Sequence, residues 1–328
     1  MTKMFEPEFA REMENVKHEI CIHSKCASRT CCDHGRTPFM RALYRALFQL
    51  ACVIGRPVGG IRPRRIYDAL GRRAFTEAQF SWQRNAWGHE LNLSPHYHID
   101  RNIIAFGCYD LELHGVIERL VEPGMICFDV GANLGEMALH MAARAGATGS
   151  VYAFEPIPEI FARLKSHVER NTLQNIVRPF QLALSDATGK ATIAHADSTA
   201  SNQGLASLVS TSEVLCRSLE IETMTLDDFV ATHAVPRIDL MKIDIQGAEP
   251  KLLKGGAKTL QKFAPDLLIE ISPEDLKAGG TNSRELCLLI ESFGYEIYAL
   301  KNGKPYNPLR AATVSPDYNA TNVLCTKK

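Results

Sequence analysis

Four carboxylates and one ammonium occupy positions where they could do chemistry. Asp129 closes the apolar run MICFDV, Glu155 follows VYAF, Lys242 and Asp244 sit in LMKID, and Glu270 lies in LLIEI. Each follows or ends a short apolar stretch of the kind that forms a buried strand. A carboxylate there can accept bonds from a diol, take a proton from a hydroxyl, or bind a divalent cation through hard oxygen ligands. Unpaired carboxylates are costly to bury, so a ligand, a cation or a hydrogen-bond donor must meet them.

The loop after Asp129 narrows the choice. It reads GANLG, with Gly131 and Gly135 five residues apart counted inclusively and Asn133 between them. A dinucleotide site asks for G-x-G-x-x-G, which is missing, and no G-x-x-x-x-G-K-[ST] phosphate loop occurs. An acid at the strand end would also repel a diphosphate. A ligand with a ribose and a cationic amino-acid group fits better, namely S-adenosylmethionine. Glu155 then suits the ribose diol, and Asp129 with the Gly131–Gly135 backbone suits the amino-acid or ribose portion. A nicotinamide oxidoreductase on a similar sheet is the competing enzyme reading, and a non-catalytic adaptor on this fold is a third.

These residues need a frame. From Met125 onward apolar runs alternate with helical patterns. The strands are expected at 125–130, 151–154, 177–184, 239–245, 266–271, 295–300 and 322–326, and the helices at 134–145, 158–171, 226–232, 249–263 and 283–293. The alternation predicts a parallel sheet with helices on both faces, and it brings the four acids to one edge. Residues 186–223 interrupt it with short strand-like pieces, an insertion that could wall a substrate site and that holds His195, a weaker base candidate. Glu249 opens a helix, where capping explains it as well as chemistry does.

Upstream, residues 1–75 form an extension, and 76–124 lead into the domain spanning 125–328. Cys21, Cys26, Cys31 and Cys32 cluster with His18, His23 and His34, a group that could hold zinc but fits a reduced tail better. Residues 37–75 are basic, and Phe39, Leu43, Leu47, Leu50 and Ala51 form an apolar stripe on one helix. The pattern favours a helix packed on its own domain with solvated arginines. The other reading is peripheral contact with an anionic membrane.

Composition bounds the remainder. The 328 residues carry 37 basic and 37 acidic side chains, so net charge is zero and nothing drives the chain toward nucleic acid. The start lacks the apolar core of a secretory signal, which predicts a cytoplasmic protein whose ten cysteines stay mostly reduced. Composition carries no information on oligomeric state.

Several ordered motifs, FDVGANLGEMALHMA, VYAFEPIPEIFARL, TLDDF, LMKIDIQGAEPKLLKGG and LLIEIS, together resemble the FkbM family of S-adenosylmethionine-dependent methyltransferases over roughly residues 100–326. The resemblance implies the class I methyltransferase fold, a Rossmann-like seven-stranded sheet with one antiparallel strand. It implies methylation of a hydroxyl on a sugar, glycan or secondary metabolite. By position, Asp129, Gly131, Asn133 and Gly135 would line the methionine and ribose side of the cofactor and Glu155 the ribose hydroxyls. Ser185 and Asp186 would lie near the adenine, and Asp244 would face the transferred methyl. Gln246 departs from the glutamate many members carry. Asp244 is then the first candidate base. Lys242 would orient the acceptor or pair with an acid, and Asp244 with Glu270 could instead hold a divalent cation.

Overall fold

The computed structural model describes residues 38–55, 64–75, 77–196, 206–207, 216–301 and 304–327, so the Cys21–Cys32 cluster lies outside the described residues. In chain order the helices and strands begin with α1 (Pro38–Gly55), α2 (Arg64–Ala74), β1 (Ser81–Arg84), β2 (Glu90–Leu93), α3 (His98–Phe106) and α4 (Leu111–Leu120). Then come β3 (Ile126–Val130), α5 (Glu136–Ala145), β4 (Ser150–Phe154), α6 (Pro158–Arg170), β5 (Val177–Phe180), β6 (Ala183–Ser185), β7 (Gly189–Ala196), β8 (Ala206–Ser207) and β9 (Cys216–Thr225). The chain closes with α7 (Leu226–Thr232), β10 (Leu240–Ile243), α8 (Glu249–Gly255), α9 (Ala257–Phe263), β11 (Asp266–Ile271), α10 (Pro273–Ala278), α11 (Ser283–Ser292), β12 (Glu296–Lys301), β13 (Lys304–Leu309) and β14 (Ala320–Thr326).

The chain divides into two compact units. One comprises residues up to 86 together with 93–109, the other 87–92 and everything from 110 onward. In the first unit, Phe48 of α1 is buried and meets Phe75 edge-on at 5.5 Å. Arg45 stands over the same ring and donates to the Ala74 carbonyl. The helix therefore packs by the face bearing Phe48, and the leucine stripe expected to pack points outward instead. Leu43, Leu47 and Leu50 are 38%, 40% and 47% exposed.

The second unit is built on a sheet in the order β13-β12-β14-β11-β10-β3-β4-β5. β3, β4, β5, β10 and β11 run parallel, and β14 is antiparallel to β11 and β12. That is the expected seven-stranded class I arrangement, extended by an eighth strand. The added strand, β13, pairs antiparallel with β12 and carries Pro305 and Pro308, which suits an edge because proline donates nothing to a ladder.

Two elements differ from the sequence pattern. Residues 177–184 do not form one strand: β5 ends at Phe180, and β6 leaves for a second sheet ordered β6-β9-β7-β8. The helix expected over 249–263 breaks at Gly255–Gly256. An added Cβ at Gly255 would stand 2.0 Å from the Ser185 carbonyl, and one at Gly256 would stand 2.6 Å from Leu226. The backbones approach too closely there for side chains on a continuous helix.

Strand alternation sorts the core from the site. Phe128, Val130, Phe154, Met241, Ile243, Leu267 and Ile269 join Phe229, Leu252, Leu253 and Leu260 in the main core. Phe229 stands 4.8 Å from Phe154 and 4.9 Å from Phe180, fixing α7 against the sheet. The residues of opposite parity are the ones with chemistry.

Candidate active site

β3 and β10 pair in register with Lys242 beside Asp129 and Ile243 beside Val130, while Lys242 also lies beside Leu268 of β11. Two residues further along, Asp244 and Glu270 share the parity of Lys242. Glu155 follows β4 with the parity of Asp129, whose register partner is Ala153. The sheet thus delivers Asp129, Glu155, Lys242, Asp244 and Glu270 to one face near its carboxyl edge. This edge lies where the chain, having wound outward through β3, β4 and β5, returns to β10 on the other side of β3, the switch point at which open α/β sheets bind ligands.

Lys242 organises the cluster. Its ammonium lies 3.4 Å from Asp129 Oδ1 and 3.3 Å from Asp244 Oδ2, and it donates to the Gly131 carbonyl at 3.1 Å. Burial alone would depress its pKa, but Asp244 and Asp129 reverse this and hold it above the ordinary lysine value. Asp129 is 0% exposed, and neither of its oxygens meets a donor in good hydrogen-bonding geometry. Burial pushes its carboxyl upward, against the pull of Lys242. Asp129 therefore opens onto no free surface. Lys242 links it to Asp244 and to the Gly131 carbonyl.

Asp244 is the open acid of the group, 34% exposed. Burial raises its pKa, yet Lys242 and a hydrogen bond shared with Glu270 hold it below the ordinary carboxylate value. Glu270 is shifted the other way, to about 10, by burial and then by the neighbouring Asp244. The opposite shifts bias the pair toward one shared proton, held on the Glu270 side. A divalent cation would have to displace that proton and sit against the Lys242 ammonium, so these residues fit a cation poorly as arranged. Among the described residues no group of three or more His, Cys, Asp or Glu is set to hold a metal ion.

The glycine loop packs closely against its own protein. Gly131 has φ +79°, and a Cβ there would stand 1.9 Å from the Asp244 carbonyl oxygen. Gly135, at φ +93°, would meet Leu164 at 2.4 Å. These glycines let the β3 and β10 loops and α6 approach one another. Asn133 takes a left-handed φ of 51°, and Gln246 on the neighbouring loop takes 52°. Such conformations are uncommon outside glycine and cluster at functional loops.

Glu155 clasps this loop. Its Oε2 accepts the Asn133 N–H and its Oε1 the Ile157 N–H, both at 3.0 Å. Burial raises its pKa to about 7, against those two bonds. Each oxygen keeps a lone-pair direction for a further donor, so the residue fits a ribose diol. Glu249 folds back to accept the N–H groups of Ile245 at 3.1 Å and Gly247 at 3.0 Å, so it ties down the loop ahead of α8, whose N-cap Ala248 makes no side-chain cap bond.

Ser185 closes β6 in the second sheet, Asp186 follows it, and the Ser185 hydroxyl donates to Asp186 at 3.2 Å. His195 lies on β7, opposite Arg217. Three histidines had no signal in sequence, because single histidines on helices do not announce themselves. His167 donates from Nδ1 to the Leu134 carbonyl at 2.7 Å and accepts the Asn92 N–H on Nε2 at 2.9 Å, tying α6 to the glycine loop and to β2. His114 and His140 meet through their Nδ1 atoms beneath Trp87, whose ring stacks 3.6 Å from that of His114, and His140 also bonds Glu118 at 2.7 Å.

A parallel sheet with this switch point, carrying acids and a glycine turn at its carboxyl edge, defines the class I methyltransferase architecture. The Methyltransferase FkbM domain family matches residues 129–297, and the chain belongs to it. It is 33% identical over 226 residues to the 31-O-demethyl-FK506 methyltransferase FkbM of Streptomyces tacrolimicus, spanning 61% of this chain and 81% of that one. It is 31% identical over 149 residues to the hexuronic acid methyltransferase AglP of Haloferax volcanii, covering 44% of this chain and 57% of AglP. A 27% identity over 241 residues links 63% of the chain to only 11% of the AMB antimetabolite synthetase AmbE of Pseudomonas aeruginosa. The chain thus spans less than two thirds of the length of two of these three relatives.

Proposed function

We propose that the protein transfers a methyl group from S-adenosylmethionine to a hydroxyl oxygen on a sugar, glycan or secondary metabolite. The observation that carries this is the pairing of two functions at one sheet edge. Glu155 is clasped to the Asn133 loop with acceptor capacity for a diol, and Asp244, one strand beyond β3, keeps a third of its side chain open. Relatives named as a hexuronic acid methyltransferase and a 31-O-demethyl-FK506 methyltransferase support the acceptor class.

S-adenosylmethionine supplies an electrophilic methyl carbon on a sulfonium, and transfer is an in-line displacement whose rate owes much to positioning. Asp244 accepts the hydroxyl hydrogen as the oxygen–carbon bond forms. Its basicity is low because Lys242 and Glu270 stabilise the anion, so it orients the hydroxyl and receives the proton late rather than removing it beforehand. Lys242 holds Asp244 and the Gly131 carbonyl in one arrangement. Asn133 and Gly131 supply backbone beside the cofactor, and Ser185 with Asp186 lies on its adenine side.

The test is thermal unfolding with S-adenosylmethionine, its demethylated product or NAD. A ligand at a hundredfold its dissociation constant stabilises the native state by about 2.7 kcal/mol. The first two should raise the melting temperature and NAD should not. No shift at millimolar S-adenosylmethionine would remove this reading.

A further inference from the structure

The outward face of α1 has no use in the methyl-transfer site. Leu43, Leu47 and Leu50 follow the i, i+4, i+7 spacing that forms one row along a helix, and all three are exposed while Phe48 is buried. The helix is 18 residues long, roughly 27 Å at ~1.5 Å per residue, and has no acidic residue in its first turn. Exposed apolar side chains scattered singly are ordinary, but three aligned on one helix face mark an interaction surface.

The surrounding charge selects the partner. Residues 38–75 contain eight arginines against one acid, Asp68, in a chain whose formal net charge is zero. Arg72 and Arg73, at the end of α2, are exposed, as is Arg45 on α1. α1 and α2 pack together within one unit, so the leucine row and the exposed Arg72 and Arg73 belong to the same body. An aliphatic row without aromatic anchors, amid delocalised positive charge, lacks the aromatic hot spots typical of a specific protein interface. It has both components of an interfacial helix, apolar side chains to enter the acyl boundary and cations to meet anionic headgroups. No helix among the described residues is long and apolar enough to cross a membrane, so the contact is a surface one.

We propose that α1 docks this protein on an anionic lipid bilayer, with Leu43, Leu47 and Leu50 inserted at the headgroup boundary and the exposed Arg72 and Arg73 of α2 contacting lipid phosphates. The full chain should sediment with vesicles of phosphatidylcholine doped with phosphatidylglycerol and stay in the supernatant with phosphatidylcholine alone. Leu43→Glu with Leu47→Glu should cut the bound fraction about tenfold at fixed lipid, with the melting temperature retained. If that pair unfolds the protein, Leu43→Gln with Leu47→Gln makes the same comparison without new charge. Arg72→Glu with Arg73→Glu should also weaken binding, and added salt should weaken the wild type.

Three results overturn the proposal. The first is wild-type protein that ignores anionic vesicles. The second is leucine variants that bind them as well as wild type. The third is a wild-type dimer in light scattering that the leucine variants convert to monomer, which would make the row a contact between copies. None of these depends on methyl transfer, so they are independent of the test of the enzyme reading.

Discussion

The Lys242 ammonium lies 3.3 Å from Asp244 Oδ2, and Lys242 itself is buried. The proposed base is therefore one half of an ion pair whose other contact, Asp129, has no exposure to solvent. Charge at this site is shared among Asp129 of β3, Lys242 of the adjacent β10 and Asp244 just after it. Removing any one of them changes the protonation of the other two.

Lys242→Met tests that coupling. Breaking a buried pair by deleting one partner costs roughly 3–5 kcal/mol, because the remaining charge loses its compensation. Urea unfolding should show a loss of that order. The pKa of Asp244 should rise once its ammonium is gone, so the acidic limb of the turnover profile should move to higher pH. A variant with wild-type stability and an unmoved acidic limb would show that the ion pair contributes to neither.

His167 sets a separate pH dependence. Burial lowers its pKa from 6.5 to about 4, although the bond to Leu134 opposes the shift. The unfolded chain thus binds this proton more readily than the native one. The stability it contributes is fully present above pH 6.5 and is lost as pH falls through about 4, a swing of roughly 3 kcal/mol at about 1.4 kcal/mol per pH unit. His167→Phe removes that swing and leaves the Asn92 N–H and the Leu134 carbonyl unpaired, costing roughly 2–4 kcal/mol near neutral pH. Melting temperatures of both proteins across this window decide the matter, and parallel curves would exclude His167 as the titrating group.

Much of this arrangement was legible before any coordinates. The alternation from Met125 onward placed each parallel strand within a few residues and put Asp129, Glu155, Asp244 and Glu270 on one edge. Three things were not. The run VRPFQLALS carries no local mark of a sheet change, because β5 and β6 differ only in their partners. The Lys242 contacts depend on the β3–β10 register, which no spacing within one strand reveals. The leucine stripe of α1 was visible as a stripe, but periodicity alone does not say which side of a helix the remainder of the chain covers.

Gly131→Ala should be far more damaging than a typical surface glycine change. The new Cβ would stand 1.9 Å from the Asp244 carbonyl oxygen, a backbone atom that cannot rotate away, and φ is +79°. The β3 and β10 loops would have to separate, breaking the Lys242 bond to the Gly131 carbonyl. A cost above roughly 2 kcal/mol is expected from the strain and the lost contacts together. The melting-temperature increment from S-adenosylmethionine should shrink with it. An alanine variant that keeps the full increment would show that the two loops need no close approach to bind.

Substitutions at Asp129 and Asp244 should separate binding from chemistry. Asp129→Ala releases Lys242 from one side and loosens the Gly131 loop, so it should weaken cofactor affinity. Asp244→Asn keeps the side-chain shape but cannot take a proton, so it should lower kcat by roughly 10²–10⁴ while leaving cofactor affinity largely intact. The cation alternative predicts something different, since a metal held by Asp244 and Glu270 would make turnover depend on its presence. With burial and Asp244 biasing Glu270 toward its neutral form, and Lys242 at 3.3 Å from Asp244, that pair offers a dication little net negative charge. Turnover should therefore survive exhaustive chelation, and Glu270→Gln, which preserves a hydrogen-bond donor to Asp244, should retain most activity. Loss of turnover on chelation, restored by added magnesium or manganese, would replace the carboxylate base with a metal site at the same two residues.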